Sequence, residues 1–223
     1  MDYILTALFS YLLGSIPTAL IVVFALSGRD VRSGGSGNMG AMNTVRMLKK
    51  YKGLGFAAVG FLIVWISDMV KAIAAVWIAE RLIGDFVIAV SLATGFAILG
   101  HNYPVFLKFR GGKGAASFMG VLLYFSPLAF VLWILTIFAG VLLFEMVELT
   151  VRKKSLTLKG VFHAISEQIL GRLAGEIMAV YTVYLIDPRL LWPTVIGSAL
   201  IIISHHKRLR DQLARLTSVH LSS

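Results

Sequence analysis

Residues 115–144 read AASFMGVLLYFSPLAFVLWILTIFAGVLLF, thirty positions without a single charge. A helix crosses the hydrocarbon core with about 20 apolar residues, so this run is long for one untilted crossing and short for two. The flanking charge decides between them. Lys108, Arg110 and Lys113 precede the run, and Arg152, Lys153, Lys154 and Lys159 follow it. Membrane proteins keep Lys and Arg in cytoplasmic loops, and one span would force one of these basic loops outside. Proline disfavours helix in the residue before it, so Ser126–Pro127 is the natural break of a two-helix hairpin that keeps both loops inside.

The rest of the chain fits the same frame. Of 223 residues, 58% are hydrophobic and 14% charged, with a mean hydropathy of +0.84. That is the composition of a polytopic membrane protein, and the length suits one compact bundle over residues 1–223 without a separate soluble domain. The first apolar run, 3–26, lacks a basic n-region and is too long for a cleaved signal peptide, so it is expected to stay as a span bent near Gly14–Pro17. Further spans are expected at 54–79, 86–100, 161–186 and 190–204. The 161–186 segment is amphipathic in its first half, with Arg172 and Glu176 spaced i,i+4. The tail from His205 reads as a basic amphipathic helix on the membrane surface.

The expectation is thus an all-α polytopic membrane protein of about seven short helices, N-terminus outside and C-terminus cytoplasmic. It places 17 of the 21 Lys and Arg residues in inside loops. Arg81 and Arg189 fall outside, and Lys71 and Arg172 lie within spans. The net charge of +10 is therefore read as loop charge against the membrane, not as a nucleic-acid surface. Cysteine is absent, which removes disulfide and thiolate chemistry.

Two polar stretches then share the inside face. SGGSGNMGAMNTVR at 33–46 crowds Gly34, Gly35, Gly37 and Gly40 among small hydroxyls and amides, with Gly28 upstream. Such a backbone can turn several N–H groups toward one anion; alone, the stretch reads first as a flexible linker between two membrane helices, running to about Gly53. GHNYPVFLKFRGGKG at 100–114 adds Gly111, Gly112 and Gly114 around Lys113. This is not a Walker A loop, because the spacing to a Lys-Ser/Thr pair is missing. Together the loops point to a phosphate-binding site at the membrane interface.

Asp68 and Lys71 lie one helical turn apart inside a span, where charges are costly unless paired or wet, so they are read as a functional or internal ion pair. His101 is expected to order its loop by hydrogen bonding. The five histidines show no ligand spacing, and neither a metal nor another cofactor is expected. His206 and Asp211 spell H-x-x-x-x-D, but in a basic tail with no catalytic domain around them.

With both loops in view, GSGNMGAMNTVR at 35–46, SDMVKA at 67–72 and GHNYPVFLKFRGGKG at 100–114 resemble the acyl-phosphate:glycerol-3-phosphate acyltransferase family. YLLGSIPTA at 11–19 and the Ser126–Pro127 break resemble it too. The resemblance implies a seven-helix plasma-membrane enzyme with its active site on the cytoplasmic face, using acyl phosphate and glycerol 3-phosphate among membrane lipids to make lysophosphatidate and phosphate. It implies that Ser36, Gly37 and Asn38 with Gly111, Gly112 and Lys113 hold phosphate. Arg46, Lys113 and Ser155 would hold glycerol 3-phosphate, and His206 matches a C-terminal motif histidine. Asn43, His101 and Gly114 complete the candidate set, with Ser36, Lys113 and Arg46 as its catalytic members. The second half departs from the pattern: Lys153–Leu158 replaces a Tyr-Val-Ser-Leu-Ala-Ser-like motif, and Leu209 stands where an Asn is expected. A related polyol phosphate as acceptor therefore stays open beside glycerol 3-phosphate. So does a different class of function, a transporter or binding protein for a phosphorylated solute, which the charged pair within a span would suit.

Overall fold

The computed structural model describes residues 1–151 and 168–220. Ser155, the 152–159 basic loop and the start of the 161–186 segment lie outside the described residues. Among the described residues every regular element is helical. They form two compact units, Met1–Phe125 and Ser126–Ser223, each treated by itself below.

The first unit contains α1 (Asp2–Gly14), α2 (Thr18–Ser27), α3 (Ala41–Lys52), α4 (Leu54–Leu82), α5 (Phe86–Asn102) and α6 (Ala115–Phe125). The second contains α7 (Pro127–Val151), α8 (Ile169–Ile186), α9 (Leu191–Ser204) and α10 (His206–His220). Among the described residues, five segments are long and apolar enough to cross a membrane: Asp2–Ser27, Leu54–Leu82, Phe86–Leu107, Pro127–Thr150 and Ile169–Ile186. Two shorter apolar helical segments, Ala115–Phe125 and Pro188–Ser204, accompany them. The chain is an all-helical, multi-pass membrane protein.

α4 shows why. Its buried face carries mostly small and polar residues, Ala57, Gly60, Asp68, Lys71, Ala72, Ala75 and Ala79, beside Val64, Met69 and Val76. Its exposed face carries Leu62, Ile63, Ile66, Val70 and Trp77. A helix with its large apolar residues outward and its charges inward is built for lipid, where helices associate by close packing of small residues. α1 and α5 use the same device. A Cβ on Gly14 would lie 2.1 Å from the Ala97 carbonyl oxygen, and one on Gly100 would lie 2.1 Å from that of Tyr11, so only glycine permits this approach.

The break expected near Gly14–Pro17 is real and divides the first span into α1 and α2. Proline has no N–H and cannot continue the ladder. Irregular backbone at membrane depth survives only where protein groups satisfy it. Here the Ile16 carbonyl accepts the Thr18 N–H at 3.0 Å and a further hydrogen bond from Lys71 Nζ at 3.2 Å.

The break at Ser126–Pro127 is also observed: α6 ends at Phe125, and the Ser126 hydroxyl accepts the Ala129 N–H at 3.1 Å as α7 begins. α6 has 11 residues, about 16 Å at 1.5 Å per residue.

One expectation needs correction. The glycine-rich loop does not run to Gly53, because Ala41–Lys52 is helical. Asn43, Thr44, Met47 and Leu48 make one buried face of that helix, and Lys49, Lys50 and Lys52 occupy its last turn, where positive charge complements the helix dipole. Beneath the loop, Ala19, Val23, Val31, Met39, Met47, Leu48, Val64 and Leu107 pack as one cluster.

In the second unit α8 packs against α7 and α9. Buried Glu176 on α8 accepts a hydrogen bond from Ser198 Oγ of α9 at 3.0 Å, and Gln212 of α10 accepts the first N–H groups of α8, from Ile169 and Leu170.

Candidate functional site

Asn43 organises the first loop. Its Oδ1 accepts the Ser36 N–H at 2.8 Å, and its Nδ2 donates to the carbonyls of Val31 at 2.8 Å and Gly34 at 3.2 Å. The amide is 1% exposed, so one α3 side chain holds both ends of a glycine turn that has no ladder of its own. Gly35 and Gly37 have φ of +61° and +66°, the left-handed region that glycine enters at no steric cost. Ser36 and Gly37 stand exposed at the tip of this turn, while Asn38 and Arg46 are half-buried.

The second loop is pinned to the end of α5. The Gly112 N–H donates to the His101 carbonyl at 2.9 Å, and the Gly111 N–H donates to that of Asn102 at 3.0 Å. A Cβ on Gly111 would lie 2.1 Å from the His101 carbonyl oxygen, and one on Gly112 would lie 1.9 Å from His101 Nε2. The two glycines therefore let the strand lie flat against the helix end. Just before them, Lys108 and Phe109 have φ of +52° and +60°. Two consecutive side-chain-bearing residues in this region store roughly 1–3 kcal/mol each, and the turn they make brings Arg110 and Gly111 back toward α5. Lys113 is half-buried in the same loop.

Under this loop lies a buried polar centre. Asp68 Oδ1 is 3.0 Å from Lys71 Nζ and accepts the Thr18 hydroxyl at 2.6 Å. Lys71 Nζ also stands 3.0 Å from His101 Nδ1. Asp68 is 1% exposed, and Lys71 and His101 are each 7% exposed. The pair read from the sequence is thus a four-residue centre. Its last member, His101, carries the glycine strand on its backbone carbonyl and under its ring.

The two loops meet. Asp30, Arg32, Ser33 and Gly37 from the first, with Arg110 and Gly111 from the second, line a polar cleft of about 460 Å³. That volume falls within the ~300–1,000 Å³ usual for small-molecule sites. A small cavity beside it connects Gly111 to Ser15, Thr18, Lys71 and His101. Sequence reasoning singled out Gly37 and Gly111, which line this cleft, but not Asp30 or Ser33, and it counted Arg32 and Arg110 only as loop charge. The available signal was Asp30-x-Arg32, a spacing at which a carboxylate can chelate a guanidinium.

His206 belongs to the second unit, at the start of α10. It is exposed, with Nδ1 3.0 Å from the Ile203 carbonyl oxygen. Ser155 is outside the described residues.

Known proteins share both sequence and fold with this chain. The family profile described as glycerol-3-phosphate acyltransferase matches residues 4–215. "Glycerol-3-phosphate acyltransferase 2" of Moorella thermoacetica is 40% identical over 143 residues, 64% of this chain and 68% of that protein. The glycerol-3-phosphate acyltransferases of Clostridioides difficile and Nitrobacter winogradskyi are 42% and 46% identical, over 56% and 58% of this chain. The matched stretch spans 60% and 63% of those two relatives, less than two thirds of their length. Among solved structures, the glycerol 3-phosphate form of PlsY, an integral membrane glycerol 3-phosphate acyltransferase, superposes with a TM-score of 0.67 at 25% identity, covering 96% of this chain and 93% of that one. Its lysophosphatidic acid form gives a TM-score of 0.66 at 24% identity. With the profile spanning nearly the whole chain and both glycine loops in place around one cleft, the chain belongs to the glycerol-3-phosphate acyltransferase family.

Proposed function

We propose that this protein transfers a fatty acyl group from acyl phosphate to the 1-hydroxyl of glycerol 3-phosphate, releasing lysophosphatidate and phosphate. The observation that carries the reading is the polar cleft shared by Gly37 of one glycine loop and Gly111 of the other. The solved relative with glycerol 3-phosphate and lysophosphatidic acid forms is consistent with this acceptor and product. The basic-residue asymmetry supports seven spans, an outside N-terminus and a cytoplasmic site in the cell membrane.

The chemistry asks little of the protein beyond positioning. Acyl phosphate is a mixed anhydride, so the acceptor oxygen attacks the acyl carbon directly, the bond to the phosphate oxygen breaks, and the hydroxyl proton leaves with phosphate as base. No enzyme nucleophile is needed. Negative charge grows on the acyl oxygen and on the leaving phosphate, and preorganised N–H and cationic groups stabilise it. In this reading the Ser36 hydroxyl and the Asn38 amide supply donors and Lys113 a point charge, while Gly37, Gly111 and Gly112, whose N–H groups are bonded within the protein, let the phosphate approach the backbone closely. Asn43 holds the turn in shape. Arg46 and Lys113 neutralise the acceptor's phosphate, so that two anions are brought together.

Ser36→Ala is expected to lower turnover about tenfold, the worth of one hydrogen bond of roughly 1.5 kcal/mol, and Lys113→Ala about 10- to 100-fold. Both should elute from size exclusion as wild type does. Turnover of either variant within twofold of wild type would remove the cradle from the mechanism. A panel with glycerol 1-phosphate and other polyol phosphates tests the acceptor: glycerol 3-phosphate should have the highest kcat/KM, and a faster alternative would reassign it.

A further inference from the structure

The two arginines that line the cleft have no part in the mechanism above. Arg32 comes from the first loop and Arg110 from the second. Arg32 cannot swing freely. Its Nε lies 3.0 and 3.1 Å from the two Asp30 carboxylate oxygens and its Nη2 2.6 Å from Oδ2. Its backbone N–H also donates to Asp30 Oδ1 at 2.8 Å. A guanidinium has five donors in a rigid fork, and this chelate occupies the Nε/Nη2 edge, leaving the Nη1 edge uncommitted by the pair. The Arg32 guanidinium beside it holds the Asp30 carboxyl below its ordinary value, against a smaller opposing effect of burial. Asp30 therefore stays ionised at neutral pH, and the chelate loosens only as acid passes below the ordinary carboxylate range.

Ser33 contributes no donor, because its hydroxyl donates to the Asp30 carbonyl at 2.7 Å. Arg110 is exposed on the other wall, set there by the turn through Lys108 and Phe109. Gly37 and Gly111 also line the cleft and place no side chain in it. With one carboxylate against two guanidinium groups, the lining carries net positive charge. Two guanidinium groups lining one cleft with glycines suit the oxygens of a phosphoryl group, which arginine binds bidentately.

We propose that Arg32 and Arg110 form an outer binding site for a phosphoryl dianion, with Asp30 as the positioning residue that fixes the Arg32 fork. The site extends the acyl-transfer reading and rests on it for its role in the reaction. The same chemistry serves two sources, the phosphate of the acceptor ester and inorganic phosphate leaving the donor.

The test uses the purified full chain in lipid nanodiscs, with Arg110→Gln, Arg110→Lys and Asp30→Asn. Three quantities are read: equilibrium binding of labelled inorganic phosphate, its inhibition constant in the acyl-transfer assay, and KM for glycerol 3-phosphate. Arg110→Gln should weaken phosphate binding about tenfold, the loss of one charge-assisted contact. Arg110→Lys should recover part of it, and Asp30→Asn should weaken it about threefold. A rise in the inhibition constant alone assigns the site to leaving phosphate, and a rise in KM assigns it to the acceptor. Wild-type protein that binds no phosphate, or Arg110→Gln that binds within twofold of wild type, overturns the proposal. Because binding is read without turnover, a failure of acyl transfer is distinguished from a failure of this site.

Discussion

Asp68→Ala is expected to destabilise the protein by about 3–5 kcal/mol, the range for removing one partner of a buried ion pair. The carboxylate accepts from Thr18 at 2.6 Å and pairs with Lys71 at 3.0 Å. Removing it leaves the Lys71 ammonium, 7% exposed, inside a helix that faces lipid. The remaining neighbours of that ammonium, the Ile16 carbonyl and the His101 ring, are dipoles and cannot replace a charge. For a chain of this size each kcal/mol moves the midpoint by about 2–4 °C, so thermal unfolding in detergent should fall by roughly 10 °C. Asp68→Ala/Lys71→Met removes the orphaned charge and should recover much of the loss, because an apolar replacement of a buried pair is often tolerated. A single variant that unfolds within about 2 °C of wild type would show that the pair is not what holds α4 to the break between α1 and α2.

Gly111→Ala should do the opposite, keeping the fold and losing the reaction. The added Cβ would fall 2.1 Å from the His101 carbonyl oxygen and 2.8 Å from that of Asn102. Both are backbone atoms at a helix end and cannot rotate away. The glycine strand must lift instead, breaking one or both of its N–H bonds to α5 and moving the Gly111 and Lys113 groups by about an ångström. A shift of that size in a positioned site costs on the order of 10²-fold in rate. The segment lies outside the helices, so the midpoint of unfolding should change little. Steady-state phosphate release together with thermal unfolding checks both halves: an active Gly111→Ala would mean the strand's contact with α5 does not set the site. A Gly111→Ala variant that fails to fold would mean the strand belongs to the core.

These contrasting outcomes follow from what the sequence could and could not encode locally. Pro17 and Pro127 mark their breaks in any reading, because a missing N–H acts at its own position. Asp68 and Lys71 are a turn apart on one helix, so their pairing is also local. Thr18 and His101 join them from 50 and 30 residues away, and no periodicity connects such positions. The helix from Ala41 to Lys52 was hidden for a different reason. It begins directly out of a glycine-rich turn, and its buried face includes Asn43 and Thr44, which read as loop residues until the loop they bind is in view. Asn43 illustrates the point: its motif position was legible, and its work of tying Ser36, Val31 and Gly34 together was not. The cleft arginines were legible only as charge, since a net count cannot tell a loop facing lipid headgroups from one facing a ligand.

The most direct test mixes the purified full chain with an acyl phosphate and glycerol 3-phosphate and measures both products over time by mass spectrometry and phosphate assay. The account predicts one lysophosphatidate formed for each phosphate released, with release falling to the uncatalysed rate when the acceptor is omitted. Phosphate release without lysophosphatidate, or no turnover by protein that is folded and monodisperse, would contradict it.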